Sequence, residues 1–133
     1  MTQDIELTEQ EQQEWVREQY QVATKYLATK GMVTNSVKVE SSRYLVPLLA
    51  IWQLTLLNGE RYWVLCGDLP TDHSPLNVAT TAREALKHFS FKWQLQAENL
   101  LKAGDKEQDD FAQLLIGRAQ GLYQVSENEK LWQ

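Results

Sequence analysis

The first third of the chain has apolar residues at a helical period. From Trp15 to Leu27 they recur every three or four positions, which predicts an amphipathic helix that begins at Thr8. Thr8 and Glu11 have the spacing of a capping box, in which the hydroxyl and the carboxylate each accept the other residue's backbone N–H. Gly31 is the expected end of this helix, because glycine readily adopts the left-handed conformation of a helix C-terminus.

The middle of the chain predicts a β-hairpin. Two mainly apolar runs flank Asn58-Gly59, a dipeptide that is typical of tight hairpin turns. A two-residue turn there sets a register in which Leu54 faces Trp63. The apolar face that the helices would cover then comprises Trp52, Leu54, Trp63 and Leu65.

A second turn at Ser41-Ser42 extends the hairpin to a three-stranded antiparallel meander. A two-residue turn at this position sets a register in which Val37 pairs with Val46. The opposite face of the sheet would carry Ile51, Thr55, Tyr62, Val64 and Cys66. Because this face is partly apolar, we expect a helix, the 67–80 loop or another subunit to cover it, and the last option favours a homodimer.

The last third predicts two helices. Thr81 and Glu84 again have capping-box spacing, and an apolar stripe continues to a break at Ala103-Gly104. A further helix is expected from near Asp109. Its inward residues would be Phe111, Leu114, Leu115, Ala119 and Leu122.

The element order α-β-β-β-α-α indicates the α+β class, with the meander packed by an N-terminal helix and two C-terminal helices. A length of 133 residues suits one domain over 1–133. Residues 1–7 and 126–133 are expected to be frayed, although Trp132 could dock back.

Composition narrows the function classes. A net charge of −5 argues against nucleic-acid binding, while a small anion is an acceptable ligand. No apolar run is long enough to span a membrane. The single Cys and the acidic, polar first fifteen residues favour a cytoplasmic protein, since neither a disulfide framework nor a secretory signal is recognisable.

The loop after the second hairpin strand is the best candidate site. It brings Asp68, Asp72 and His73 within six residues, on the kind of loop that often carries function. Their spacing matches no known metal motif, so no metal or cofactor is predicted. Cys66 with His73 has the residue types of a cysteine nucleophile, but a strand-end thiol lacks an activating helix N-terminus, and no catalytic residue is assigned.

A small-molecule pocket is a second possibility. The helix beginning at Thr81 presents free N–H groups, and Arg83 and His73 could add positive charge for a carboxylate or phosphate. A pocket between the 67–75 loop and this helix would then make the protein a small ligand-binding protein or an enzyme.

Aromatic residues on two sides of the later helix suggest an interface. Phe89 and Trp93 share the main stripe, whereas Phe91 and Leu95 lie off it. A helix that is apolar on two sides is either centrally buried or part of an interface. The candidate interface residues are Tyr62, Phe91 and Trp93.

Six segments resemble a bacterial family of short, single-domain proteins of unknown function. They are Trp15-Val16-Arg17, Ser42-Arg43-Tyr44-Leu45, Gly67-Asp68-Leu69-Pro70-Thr71-Asp72, His88-Phe89-Ser90, Trp93-Gln94-Leu95 and Ala97-Glu98-Asn99-Leu100. The resemblance implies a bacterial, cytoplasmic protein and carries over no activity or site residue. The sequence thus favours a non-enzymatic protein-binding or regulatory module, acting on a protein partner or on a second copy of itself, and leaves an enzyme open.

Overall fold

The computed structural model describes residues 7–132 and confirms the α+β class. The chain divides into two compact units, 1–75 and 76–133. The first contains helix α1 (Glu9–Ala28) and strands β1 (Thr34–Val37), β2 (Arg43–Leu45), β3 (Leu49–Leu56), β4 (Arg61–Gly67) and β5 (Asp72–Pro75); the second contains helices α2 (Ala82–Ala103) and α3 (Lys106–Glu127). Between residues 7 and 132, no helix combines the length and apolar character needed to cross a bilayer.

Helix α1 begins with the predicted capping box. Thr8 N–H donates to Glu11 Oε1 and Glu11 N–H donates to Thr8 Oγ1, both at 3.1 Å. The chain leaves the helix at Gly31, where the N–H of Met32 donates to the carbonyl of Leu27 at 3.0 Å. The buried side of α1 packs on one face of the sheet. The shared core comprises Ala23, Leu27, Ala50, Trp52, Leu54, Leu56, Val64 and Cys66.

The sheet has five strands, so the three-stranded meander is wrong. The strands are antiparallel in the order β1-β3-β4-β5, and β2 also pairs with β3. Val37 lies opposite Leu54 and not opposite Val46. Residues 39–41 form a 3-10 turn that carries the chain onward without reversing it, so β1 and β2 run in the same direction along one edge of β3.

Ser42 bridges the gap between β1 and β2. Its hydroxyl accepts the backbone N–H of Gln53 at 3.0 Å and donates to the carbonyl of Lys38 at 2.9 Å. The N–H of Lys38 in turn donates to the carbonyl of Gln53. The serine side chain therefore replaces the ladder bond that a continuous edge strand would supply.

The hairpin around Asn58-Gly59 is present, but its register differs by one residue from the prediction. The loop holds three residues, because the N–H of Leu56 donates to the carbonyl of Glu60 at 2.8 Å. Gly59 has φ +90, which fits the left-handed position of a three-residue loop. Leu54 consequently faces Tyr62, not Trp63.

This shift exchanges the two faces of β4, since neighbouring residues of a strand point to opposite sides. Val64 and Cys66 lie on the α1 side, and Trp63 and Leu65 lie on the other, which corrects the predicted core face. Trp63, Leu65 and Ile51 are each at most 1% exposed in the single chain.

In the second unit, Thr81 caps α2 and accepts the N–H of Glu84, and α2 ends at Gly104. The expected capping box is incomplete, because the carboxylate of Glu84 accepts the N–H of Thr80 and not that of Thr81. Helix α3 begins at Lys106, earlier than the expected start near Asp109, because the side chain of Asp105 accepts the N–H of Glu107. The two helices pair, with Ser90 Oγ donating to the carbonyl of Ala119 at 2.7 Å.

Two of the residues predicted to point inward from α3 lie on its surface. Phe111 is 39% exposed and Leu114 is 42% exposed, while Leu115, Ala119 and Leu122 are buried as expected. At the C-terminal end, the indole N–H of Trp132 donates to the carbonyl of Val125 at 3.0 Å. The aromatic side chain thus docks back on the end of the helix.

Candidate functional site

The polar loop leads into β5, which places His73 beside helix α1. His73 lies opposite Val64 in the β4–β5 ladder, so both side chains are on the α1 side of the sheet. The hydroxyl oxygen of Tyr26 is 2.8 Å from His73 Nδ1. The rings of Tyr26 and Tyr62 both meet the imidazole edge to face, with centroids 5.4 and 5.6 Å away. Together with Asp72, these residues form what we call the His73 cluster.

Asp72 completes the cluster through two kinds of contact. Its Oδ1 accepts the backbone N–H of His73 at 2.7 Å. Burial, followed by the negative charge of Asp72 and a hydrogen bond with its carboxylate, raises the pKa of Tyr26 to about 12. A tyrosine hydroxyl has one proton, so if it donates to Asp72 it must accept from Nδ1–H of His73. The three groups then form one chain of hydrogen bonds.

Tyr62, a candidate interface residue, contacts Glu60 and His73 within the first unit. Its hydroxyl donates to Glu60 Oε2 at 3.2 Å, and its ring packs against His73. The side chain is half-buried, so it presents only part of its ring to a partner.

Gly67 and Asp68 begin the loop, and the backbone conformation at position 67 requires glycine. The N–H of Asp68 donates to the carbonyl of Leu48 at 2.9 Å, and the Asp68 side chain is exposed. Gly67 has φ +132, and a Cβ there would lie 2.6 Å from the carbonyl oxygen of Leu48. This part of the loop is therefore fixed by backbone packing, and it holds Asp68 away from the His73 cluster on the chain's surface.

The thiol of Cys66 is buried and protonated at neutral pH. Its exposed fraction is 0%, and burial raises its pKa to about 11. The indole N–H of Trp52 opposes this shift weakly, without the geometry of a full hydrogen bond. The thiol itself donates to the carbonyl of Gln19 at 3.5 Å. Such a thiol is poorly suited to nucleophilic attack.

Thr81 and Arg83 have partners within the second unit. Thr81 Oγ1 accepts the N–H of Glu84, whose carboxylate accepts the N–H and hydroxyl of Thr80, and these bonds lower the pKa of Glu84. Arg83 Nε donates to the carbonyl of Ser126, and its guanidinium lies 3.6 Å from Glu129. An anion at this helix start would have to compete with Glu84.

Helix α2 exposes large apolar side chains on its outward side. Phe91 is 54% exposed and Leu95, one turn later, is 60% exposed. The ring of Tyr123 on α3 lies 6.3 Å from that of Phe91 and is 41% exposed. We call these three residues the α2 surface. Trp93, the other candidate from this helix, is 1% exposed and belongs to the core.

A comparison with protein families identifies a family model that matches this chain. A family model described as a domain of unknown function (DUF4826) matches residues 9–132. The chain belongs to this family. A comparison with curated proteins found no match, and neither did a comparison with solved structures. The match runs from the first residue of α1 to beyond the end of α3, so the DUF4826 domain includes both the His73 cluster and the α2 surface.

In this DUF4826 domain, Tyr26 is the main residue of the His73 cluster that the sequence did not identify as a candidate site residue. It follows the helical period of α1, where an aromatic residue fits either the core or an interface, and it lies 47 positions before His73 in the sequence. Asp72 and His73 were candidates and do come together, whereas Thr81 and Arg83 lie in the second unit. Within residues 7–132, no three His, Cys, Asp or Glu residues are grouped closely enough to hold a metal ion.

Proposed function

We propose that this protein is a non-enzymatic protein-binding or regulatory module, and that it binds through the α2 surface. The observation that supports this is the exposure of Phe91 and Leu95, which are one turn apart on one side of α2 and continue to Tyr123. Exposed aromatic and aliphatic groups that adjoin one another are characteristic of interfaces. Burying them against a partner would supply the driving force for association.

The polar groups of the first unit favour the same conclusion. Tyr26, Asp72 and His73 use hydrogen-bonding capacity on one another and on the local backbone. Cys66 is buried and protonated. A catalytic acid, base or nucleophile has to reach a substrate atom, so these contacts are better suited to joining β5 to α1 than to chemistry.

The cellular setting is part of the proposal. One buried thiol with a raised pKa suits a reducing compartment, and we place the protein in the bacterial cytoplasm. The net charge of −5 supports a protein partner over nucleic acid. The alternative of a small ligand-binding protein or enzyme, with its pocket between the 67–75 loop and the helix start at Thr81, stays a prediction.

Photo-crosslinking in cells tests the binding function. A benzophenone amino acid replaces Phe91 in one variant and Leu57 in the control; Leu57 is 68% exposed on the β3–β4 loop. We expect a protein adduct from position 91 that disappears when Leu95→Asp is added. No adduct at position 91, or equal adducts at both positions, would overturn the proposal.

A further inference from the structure

The outward side of α2 carries a stripe with a coiled-coil period. Its residues follow one another at intervals of four, three, four, three and four positions: Glu84, His88, Phe91, Leu95, Glu98 and Lys102. A repeat of 3.5 residues is the period of the seam between two packed helices. Five of the six side chains are exposed and His88 is partly exposed. The α2 surface is thus the centre of a longer stripe that has polar ends.

We propose that this stripe binds the same stripe of a second copy of the chain, with the two α2 helices antiparallel about a two-fold axis. The inference rests on the proposed function, because it names the partner of the α2 surface. In a two-fold interface the same patch is used on both copies, so it must be complementary to itself.

The order of residues along the stripe meets this requirement. With the two-fold axis at the level of Trp93, Phe91 of one copy faces Leu95 of the other. Glu84 then faces Lys102 of the second copy, and His88 faces Glu98. Every acidic side chain meets a base or an imidazole, and every apolar side chain meets an apolar one. Symmetry repeats each pair on the other side of the axis.

The charges also select the direction of the helices. A parallel pair would place Glu84 against Glu84, Glu98 against Glu98 and Lys102 against Lys102. Like charges placed opposite each other oppose association and exclude wrong arrangements. The antiparallel register has no such pair, so the same stripe that favours one arrangement disfavours the other.

The polar ends already have contacts within the chain, and the proposed pairing would compete with them. At one end, the exposed carboxylate of Glu84 accepts the N–H and hydroxyl of Thr80. Glu98 and Lys102 form an i,i+4 ion pair at 3.2 Å, and their side chains are 60% and 71% exposed. Exposed pairs of this kind are weak and exchange partners readily. Since only two apolar residues per copy lie on the seam, the interface is small, and we expect a weak dimer that depends on concentration.

Mass measurement on the full chain tests the second copy directly. Light scattering and sedimentation should show a mass that rises from that of the 15.4 kDa chain toward twice that value with concentration. Leu95→Asp should remain a monomer, and the control Leu57→Asp should dimerise like the parent chain. A parent chain that is monomeric throughout would overturn the inference. So would equal weakening by the two substitutions.

A charge exchange tests the register. We expect Glu84→Lys and Lys102→Glu each to raise the dimer dissociation constant at least about tenfold. In a mixture of these two variants, each introduced charge faces an opposite charge, so association should return. Arg118→Glu, an exposed charge reversal on α3, is the matched control and should have no effect. If neither variant weakens dimerisation, the proposed register is overturned. It is also overturned if the mixture of the two variants does not associate more tightly than each variant alone.

Disulfide trapping tests the direction, with circular dichroism confirming that each variant is folded. Cys66 is buried and stays out of the reaction. When Glu84→Cys and Lys102→Cys chains are mixed, the antiparallel arrangement predicts bonds between positions 84 and 102. Bonds from 84 to 84 or from 102 to 102 would overturn it. If the chain stays monomeric while position 91 still crosslinks another protein in cells, only the self-partner is excluded and the binding function stands.

Discussion

The hydroxyl of Tyr26 lies 2.8 Å from Nδ1 of His73 and ties helix α1 to the edge strand β5. The two residues meet near the C-terminal end of α1, where Leu27 is also buried against the sheet. Strand β5 has four residues and pairs only with β4 among the strands of the described chain. So short a strand forms few backbone hydrogen bonds with its neighbour. The side-chain hydrogen bond between His73 and Tyr26 is therefore a substantial part of the interactions that hold β5 in place.

Replacing Tyr26 by phenylalanine should therefore weaken the first unit. We expect Tyr26→Phe to lower the free energy of unfolding by about 1–2 kcal/mol, because it leaves the partly buried imidazole of His73 and the carboxylate of Asp72 without the hydroxyl. Urea denaturation measures the loss. Tyr44→Phe is the control, since the Tyr44 ring packs on Trp52 and should keep that contact. Equal losses in the two variants would contradict the assigned role of the hydroxyl.

The serine bridge in the sheet edge makes a second prediction. Ser42→Ala removes the acceptor for the buried N–H of Gln53. An unpaired buried donor costs about 1–3 kcal/mol, and the free energy of unfolding should fall by that amount. Ser36→Ala, an exposed serine of β1, should change it by less than about 0.5 kcal/mol. Hydrogen exchange should show faster exchange at Gln53 in the Ser42 variant, and unchanged protection there would argue against the bridge.

Alanine substitutions at two glycines should have opposite effects. At Gly67 a Cβ would meet the backbone of Leu48 and Leu49 at 2.6 Å, and φ +132 disfavours any side chain. We expect Gly67→Ala to destabilise the fold by about 3 kcal/mol. Gly117 lies in α3 with open space around it, so Gly117→Ala should stabilise by about 0.5–1 kcal/mol. Thermal melts of both variants test this, and shifts in the same direction would refute it.

Alkaline pH should destabilise the fold through Cys66 and Tyr26. The folded state raises the pKa of the thiol from 9.0 to about 11 and that of the phenol from 10.0 to about 12. Both groups are neutral when protonated, so the folded state holds these protons more tightly. The stability they contribute is fully present below pH 9 and is lost as pH rises, from 9 to 11 for the thiol and from 10 to 12 for the phenol.

Urea denaturation at pH 9 and at pH 11 measures this loss. Cys66→Ala should lose less stability between those two values than the parent chain does, because it has no thiol to ionise. Ser36→Ala, at an exposed position without a titratable group, provides a comparison in which Cys66 and Tyr26 are both retained. If Cys66→Ala and the parent chain lose equal stability, the thiol is not a source of the alkaline effect.

The local signals of the sequence predicted several of the helix boundaries. The capping box of Thr8 and Glu11, the N-cap at Thr81 and the break at Gly104 all appear in the structure. Each depends on hydrogen bonds or backbone angles within a few residues, so a short window of sequence contains the information. The start of α3 was misplaced because Asp105, its N-cap, also fits a loop that continues from Gly104.

The candidate site was predicted in part for the same reason. Asp72 and His73 are neighbours in the sequence, and their loop stood out by composition. Tyr26 reaches them only because α1 lies across the sheet and β5 returns beside β4. No spacing pattern in the sequence predicts this contact between Tyr26 and His73. Trp93 and Phe91 looked alike as interface candidates until burial separated them.

By itself, the sequence determined the α+β class, the approximate positions of the helices and the location of the β3–β4 hairpin. Only the tertiary structure decided the hairpin register and the partner of β1. Two- and three-residue loops both fit Asn58-Gly59 locally, and the choice between them exchanges the faces of Trp63 and Val64. Such alternatives differ little in local energy, and packing of the whole sheet against its surroundings selects one, because burial acts on all the side chains of a face together.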